Sequence, residues 1–267
     1  MKFYIVTPSY NNGENILRCL ESVAIQDGDF EIEHVIVDGG STDSTLKILQ
    51  TFKALTLSKK VGGKKYSLSW ISEPDDGMYD AIVKGFQNAN GDILAWINTD
   101  DYYLPGAFQA ISDAFEKERV KWVTGISDTE NIDGSFRLGR LREYRRGLIK
   151  KGAYGTVLDY IRQESVFWTK ELWNKINPNV LVDYKYAGDF RLWQLFSSYE
   201  NLYSLDYHVA VFKKRPGQKS ANQYEYFNEA NKTVYISETE KLLLKLIKKV
   251  ETLFRIYLIR GPRINGE

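Results

Sequence analysis

Apolar and polar residues alternate in blocks through the first hundred residues of the chain. Four apolar runs have the length and composition of buried strands: residues 2–7, 31–37, 66–72 and 93–97. Three intervening segments repeat apolar residues at helical spacing: residues 15–26, a segment ending near 52, and residues 78–89. Ser41 or Thr42 can cap the second of these helices. The alternation predicts a doubly wound, mostly parallel α/β sheet with helices on both faces.

The second half of the chain has a different pattern, in which strands follow one another. Its predicted elements are strands at 121–126 and 135–140 joined at Asp133-Gly134, strands at 163–168 and 202–215, and a helix at 189–198. This order predicts a small antiparallel subdomain. Residues 59–65 are predicted to form a surface loop. Residues 238–259 predict a basic amphipathic helix with an apolar stripe formed by Leu242, Leu246, Val250, Leu253 and Tyr257.

The bulk composition excludes several classes of protein. The 36 basic and 35 acidic residues leave a net charge of +1, so we expect no nucleic-acid partner. The single cysteine, Cys19, can form no intramolecular disulfide, which favours a reducing compartment. The apolar run before Pro8 is too short for a signal peptide, and we find no spanning segment in the sequence. We therefore expect a cytoplasmic protein, soluble or peripheral on the inner face of the cell membrane.

Acidic residues follow three of the predicted strands at their carboxyl ends. These are Asp38, the pair Asp75 and Asp76, and the pair Asp100 and Asp101. Parallel strands present these ends along one edge of the sheet, where open α/β proteins bind ligands. Any one of these residues could instead be a turn or capping aspartate. As a cluster, however, they repel one another, and a metal ion or a donor-rich ligand relieves that repulsion.

The turn after the first strand lacks the glycine patterns that bind phosphate through the backbone. Neither GxGxxG nor GxxxxGK[ST] occurs there, and the residues present are Pro8-Ser9-Tyr10-Asn11-Asn12. The absence of a glycine-rich basic loop also argues against a sugar nucleotidyltransferase. A bound diphosphate would then need a divalent cation, Mg²⁺ or Mn²⁺, held by the acids after the fourth strand.

Four ordered motifs resemble the family 2 glycosyltransferases of the GT-A fold. They are TPSYNNGENILRCLESVAIQ from Thr7, VIVDGGSTDST from Val35, SEPDDGMYDAIVKG from Ser72, and GDILAWINTDDYYLPGA from Gly91. RQESVFW and AGDFRLW match more loosely. The resemblance is dense over the first 110 residues and covers somewhat more than half of the chain. It implies a GT-A type sheet and an inverting transferase that uses a nucleotide-sugar donor.

The resemblance also implies roles for residues of the donor half. Thr7, Pro8 and Tyr10 would line the nucleotide pocket, and Asp38 would accept a hydrogen bond from the base. Asp76 would face the donor pocket. One carboxylate beside a backbone rim is chemically suited to the N–H of uracil or thymine, so we expect a UDP- or dTDP-sugar.

The pair Asp100-Asp101 matches the DxD-type element that reaches the diphosphate through Mg²⁺ or Mn²⁺. Its first position is Asn98, which has no carboxylate. We therefore expect the direct metal contact at Asp101, with Asp100 nearer the ribose.

Inverting transfer needs a base that deprotonates the acceptor hydroxyl. Asp189 of YAGDFRLW best matches the family position, and Asp183 is the second candidate. Asp189 could also be a helix N-cap. Gln163 and Glu164 resemble acceptor-side residues, although a polar pair at a strand edge has the same pattern.

Two further groups have a functional and a structural interpretation. His208 is a conceivable metal ligand, but a single histidine in a Tyr/Val-rich strand is more often structural. Lys214, Arg215 and Lys219 could close over the diphosphate and stabilise the leaving group, or form a solvated basic loop.

Together these features predict a metal-dependent glycosyltransferase of cell-surface polysaccharide or glycolipid synthesis, with a glycan or lipid-linked acceptor. The alternative is a nucleotide-sugar or glycan binding module without turnover. We expect a catalytic domain at 1–218, with its donor half at 1–110 and its acceptor half at 111–218, and a helical extension at 219–267. The C-terminal helix could contact an anionic membrane, pack on the domain, or pair with a second copy as a homodimer.

Overall fold

The computed structural model describes residues 1–59, 66–254 and 258–266. Within these ranges the strands are β1 (Lys2–Ser9), β2 (Glu31–Asp38), β3 (Tyr66–Ser72), β4 (Ile93–Trp96), β5 (Tyr102–Tyr103), β6 (Trp122–Glu130), β7 (Phe136–Arg137), β8 (Val166–Thr169), β9 (Tyr203–Lys213) and β10 (Arg263–Ile264). The α-helices are α1 (Ile16–Ala24), α2 (Thr45–Lys59), α3 (Met78–Phe86), α4 (Ala107–Glu118), α5 (Arg146–Lys151), α6 (Lys170–Trp173), α7 (Gly188–Phe196), α8 (Gln223–Ala230) and α9 (Glu238–Phe254).

All the described strands belong to one mixed sheet with the order β10-β9-β6-β8-β4-β1-β2-β3. The first four strands are mutually parallel, and β8 runs antiparallel to both β4 and β6. The short strands β5 and β7 pair with β9 and β6 at the side of this path. The predicted doubly wound sheet is therefore confirmed, and the second half extends the same sheet instead of forming a separate one.

The sheet is covered on both faces because its strands are apolar on both sides. Along β1, Phe3 and Ile5 pack into a core with α4, while Tyr4 and Val6 pack into a core with α3. On the α3 side the rings of Trp96 at the end of β4 and Trp193 in α7 stack at a centroid distance of 5.8 Å. This aromatic contact fixes the end of β4 relative to α7.

The elements of the first half lie within a few residues of their predicted positions. The clearest difference is α2, which begins at Thr45 and not directly after Ser41 or Thr42. Asp43 explains the later start, because its carboxylate accepts hydrogen bonds from the Thr45 amide at 2.9 Å and from the Gly13 amide at 2.9 Å. It thereby also ties the helix to the turn after β1. Most of the predicted loop at 59–65 lies outside the described residues.

Three predictions for the second half need correction or comment. Gln163–Ser165 form a 3₁₀ turn, so the strand predicted from residue 163 begins at Val166. The predicted hairpin is confirmed as β6 and β7, although β7 has only two residues. Helix α9 is described over Glu238–Phe254, residues 255–257 lie outside the described ranges, and residues 258 and 259 are not helical.

Helix α9 contacts the domain through one narrow face. Leu244 is buried in the core on the α3 side of the sheet. The predicted apolar stripe points elsewhere: Leu242, Leu246 and Leu253 are exposed, and so is Phe254. No helix within the described ranges is long and apolar enough to cross a membrane.

Candidate functional site

The loops at the carboxyl ends of β1, β2 and β4 are held together by side chains from the first loop. The backbone amide of Asn11 donates to the Ser41 hydroxyl, and its side-chain Oδ1 accepts from the Thr42 amide at 2.8 Å. The Asn12 side chain donates to the Thr99 hydroxyl after β4. Asn11 has a left-handed backbone conformation with φ of 47°, which asparagine tolerates better than most residues. Three strand ends therefore form one rigid edge, as the parallel topology predicts.

Asp38 is fixed at the end of β2. One carboxylate oxygen accepts the Ser41 amide and the Ser72 hydroxyl, both at 2.8 Å, and the other accepts the Ser41 hydroxyl at 2.5 Å. Its side chain has no exposed surface. A nucleotide base reaches this carboxylate only if one of the serine groups moves aside.

The three residues expected to line the nucleotide pocket differ in accessibility. Tyr10 is 65% exposed at the mouth of the edge, whereas Pro8 and Thr7 are buried. The Thr7 hydroxyl lies 2.9 Å from the Nε2 atom of His34, whose pKa burial lowers to about 3, so the ring is neutral. The Thr7 side chain therefore belongs to the core and is not available to a ligand.

In the pair after β3, Asp75 and not Asp76 points toward the neighbouring loop. Asp76 is exposed, and its amide donates to Asp80 at 3.0 Å. The Asp75 carboxylate lies over Gly39, where an added Cβ would approach its Oδ2 to 2.8 Å. Burial raises the Asp75 pKa, and the charges of Asp80 and Asp38 add to this effect. The only signal for this in the sequence is the glycine at 39, which leaves room for the carboxylate.

The two acids after β4 have different environments. Asp101 is 1% exposed, and its Oδ1 accepts the Lys213 amide at 3.0 Å. Burial first, and then the charges of Asp100 and Glu164, raise its pKa well above the usual range. Asp100 instead accepts from Arg215 at 2.7 Å and from Gln218 at 2.8 Å. The segment after β9 thus covers Asp100.

The donor set at this point fits a hard cation. Asp100 and Asp101 supply carboxylate oxygens, and the Oδ1 atom of Asn98 is buried without a hydrogen-bond partner in the described structure. No group of three or more His, Cys, Asp or Glu side chains in the described ranges could hold a metal by itself. A cation here would therefore need ligand oxygens as well, which is the usual arrangement for Mg²⁺ on a diphosphate.

Asp189 is the second residue of α7. The N-cap of that helix is Ala187, so Asp189 does not have the N-cap role that its position suggested. Its Oδ1 accepts the Phe190 amide at 2.7 Å and lies 3.4 Å from the Tyr79 hydroxyl. Burial raises its pKa to about 6, with a smaller contribution from the charge of Glu164. Asp183, the second candidate base, is exposed.

A residue that the sequence did not indicate holds the start of α7. The Glu229 carboxylate in α8 accepts the backbone amides of Lys185, Tyr186 and Ala187 at 2.8–2.9 Å. These amides have no partners inside the helix, so a single carboxylate satisfies them. It sets the position of Asp189 two residues later. Because Glu229 is 40 residues away in sequence, no local motif reveals this contact.

Gln163 and Glu164 lie between the two groups of acids. Gln163 donates to the Trp96 carbonyl at 2.7 Å and accepts from Asn98 at 3.3 Å, which braces the end of β4. Glu164 is buried, accepts from the Ser127 hydroxyl, and acts electrostatically on both Asp101 and Asp189. They are therefore internal residues of a turn and not a pair at a strand edge.

His208 has a structural partner. Its Nδ1 lies 2.8 Å from Asp128, whose same oxygen accepts the Gly139 amide at 2.7 Å. This contact ties β9 to β6 and to the segment after β7.

The order and directions of the strands are those of a GT-A-like fold. Residues 4–186 match glycosyl transferase family 2, and the chain belongs to this family, as its motifs predicted. The PGL/p-HBAD biosynthesis glycosyltransferase of Mycobacterium bovis (strain BCG / Pasteur 1173P2) is 31% identical over 177 residues, 66% of this chain and 62% of the relative. The uncharacterised glycosyltransferase Rv1514c of Mycobacterium tuberculosis (strain ATCC 25618 / H37Rv) is 32% identical over 99 residues, 37% of this chain and 34% of the relative. This chain therefore spans less than two thirds of these relatives.

Solved structures show the same fold. S. aureus TarS 1-349 has a TM-score of 0.60 at 17% identity, over 96% of this chain and 72% of that chain. Its complex with UDP-GlcNAc has a TM-score of 0.58, also at 17% identity, over 96% of this chain and 73% of that chain. The mannosyltransferase PcManGT from Pyrobaculum calidifontis, in complex with GDP-Man and Mn²⁺, has a TM-score of 0.59 at 16% identity, over 91% of this chain and 67% of that chain.

Proposed function

We propose that the protein is an inverting glycosyltransferase that moves a sugar from a UDP- or dTDP-linked donor to a hydroxyl group of a glycan or lipid-linked acceptor. The central observation is Asp189, a carboxyl whose pKa is raised to about 6. The charge of Glu164 contributes to raising the pKa of both Asp189 and Asp101. Family membership supports the reaction class. The mycobacterial relative, named for PGL/p-HBAD biosynthesis, supports a role in glycolipid synthesis.

Asp189 is the proposed general base. A pKa near neutrality leaves the carboxylate ionised at neutral pH and still basic enough to take a proton. Within the described structure both of its hydrogen bonds go to Oδ1, which leaves Oδ2 for the acceptor hydroxyl. The oxygen that loses this proton attacks the anomeric carbon from the side opposite the leaving diphosphate.

Asp101 is the proposed metal ligand, with Asp100 beside it. Mg²⁺ or Mn²⁺ bound there would neutralise charge on the leaving diphosphate. The Asn98 oxygen, which has no hydrogen-bond partner in the described structure, supports this placement. The Mn²⁺ in the PcManGT complex with GDP-Man supports the use of a divalent cation. Arg215 already forms an ion pair with Asp100. We therefore propose that the arriving diphosphate replaces the Asp100 carboxylate as the partner of this guanidinium.

The remaining donor contacts are proposed from the strand-end geometry. Asp38 would accept a hydrogen bond from the base N–H once Ser41 moves away from the carboxylate. Tyr10 and Pro8 would pack against the base. Asp75 would take the donor-facing role that the sequence assigned to Asp76. We propose 1–110 as the donor half, 111–218 as the acceptor half and 219–267 as an extension that supplies Glu229.

A donor panel tests this proposal. UDP-, dTDP- and GDP-sugars are offered with and without Mn²⁺, and binding and release of nucleoside diphosphate are measured separately. We expect Asp189→Asn to bind donor but to lose turnover by about 10²–10⁴-fold. We expect Asp101→Asn to lose the Mn²⁺-dependent part of donor binding.

The matched control is Asp183→Asn, which removes an exposed carboxylate six residues before the proposed base. If both site variants turn over as fast as this control, the site assignment is wrong. If the wild-type protein binds a donor but releases no product under any condition, it is a nucleotide-sugar binding module.

We also propose that α9 rests on an anionic membrane, where a lipid-linked acceptor would be presented. Its outward face combines exposed leucines with exposed lysines: Leu242, Leu246, Leu253, Lys245 and Lys249. Apolar area together with basic charge is the usual basis of such binding. Pairing of two copies through the same face is the competing outcome.

A further inference from the structure

A second concave site lies beside the proposed catalytic centre. It is a cavity of about 470 Å³ between β6, the segment after β7 and the chain before β8. Four arginines line it, Arg137, Arg140, Arg142 and Arg162, and among the described residues its only acidic lining residue is Asp159. We call it the arginine cavity.

The Asp159 carboxylate already forms two ion pairs. Its partners are Arg142 at 2.9 Å and Lys248 of α9 at 2.7 Å. Within the described ranges no ion pair is formed by Arg137, Arg140 or Arg162. Arg162 is instead held over the ring of Phe212 at 5.2 Å. The described lining therefore carries four arginines against one carboxylate, which leaves an excess of positive charge.

The walls of the arginine cavity are connected to the surroundings of the proposed base through three residues, Ser127, Tyr160 and Arg162. Ser127, in its wall, donates to Glu164, and Arg162 immediately precedes Gln163. Tyr160, another wall residue, packs against Tyr226 at a centroid distance of 5.3 Å, and the charge of Asp189 contributes to raising its pKa. The basic residue at the diphosphate end is a different one, Arg215 on Asp100. A molecule in the cavity would thus approach Asp189 from the acceptor side.

We propose that the arginine cavity binds a phosphate or diphosphate group of the acceptor, so that the acceptor is a phosphate-bearing glycan or lipid. This inference rests on the proposed function, because it assigns the cavity to the substrate that Asp189 deprotonates. Arginine suits the role since its planar guanidinium binds phosphate oxygens through two parallel hydrogen bonds. A neutral sugar would gain little from the three arginines that form no ion pair in the described structure.

The test uses inorganic pyrophosphate as the probe, titrated in metal-free buffer so that the donor site lacks its cation. The variant is Arg137→Gln/Arg140→Gln, which changes two exposed side chains without ion partners in the described structure. Arg119→Gln, an exposed arginine at the end of α4, is the control. We expect the double variant to bind pyrophosphate at least about tenfold more weakly and the control to bind as the wild type does. Equal binding by both variants, or no binding to the wild type, overturns the inference.

A second arm identifies the source of the phosphate. Vesicles of phosphatidylcholine with phosphatidic acid are compared with soluble pyrophosphate. If the double variant is retained less on the vesicles than the wild type, the phosphate group is carried by a lipid. If the double variant loses only the binding of soluble pyrophosphate, the phosphate group is carried by a soluble acceptor. Donor turnover by the wild-type protein is measured separately. Its absence would refute the proposed function, while the pyrophosphate titration alone decides whether the cavity binds phosphate.

Discussion

The replacement Asp189→Asn should make the protein more stable at pH 8 while it removes activity. Burial raises the pKa of Asp189 from its ordinary value of 3.8 to about 6. The fold therefore favours the protonated form, and the group's stabilising contribution is complete below pH 4 and lost as the pH rises through about 6. This pKa shift corresponds to at most about 3 kcal/mol of unfolding free energy, at 1.36 kcal/mol for each pKa unit. Asparagine carries no charge and keeps an oxygen that can accept the Phe190 amide.

Urea unfolding followed by tryptophan fluorescence measures this effect. At pH 8 we expect the unfolding free energy of Asp189→Asn to exceed that of the wild type by about 2–3 kcal/mol, and at pH 4 we expect no difference. The acid limb of kcat/KM for the wild type should have a midpoint near pH 6. Asp183→Asn should change neither quantity. A destabilised Asp189→Asn variant at pH 8, or one that keeps full turnover, would refute the assignment.

The remaining predictions concern contacts around the base, the diphosphate end and α9. Arg215→Ala should strengthen Mn²⁺ binding to the donor-free protein, followed by water proton relaxation, because Asp100 loses a competing cation; unchanged affinity contradicts this. Glu229→Gln should lower the unfolding free energy by about 1–3 kcal/mol. It should also reduce kcat without changing donor affinity, and a parallel loss of donor binding would exclude a positioning role. Leu253→Glu, at a position 72% exposed, should reduce sedimentation with anionic vesicles; if it instead converts a dimer to a monomer, α9 is a self-association face.

The sheet could be predicted from sequence because its strands are short, apolar and separated by clear turns. Asp38 and the Asp100-Asp101 pair could be placed at the same edge of the sheet because they follow parallel strands. The sequence did not predict the conformations of single residues and short turns correctly. Asp75 and Asp76 are adjacent aspartates in one turn, and only packing over Gly39 distinguishes Asp75, which is partly buried, from Asp76, which is exposed. The 3₁₀ turn at Gln163 has a strand-like composition, and its contacts to Trp96 and Asn98 decide its conformation.

The sequence alone determined the alternation of strands and helices, the family and the line of acids along one sheet edge. These follow from local apolar periodicity and from the rule that parallel strands end on the same side. Only the tertiary structure decided that Arg215 covers Asp100, 115 residues away, that Glu229 holds the start of α7, and that four arginines surround one cavity. Such contacts depend on how distant segments pack, and no local pattern records that. The chemistry of a strand end is local, whereas the charge around it is set by the whole fold.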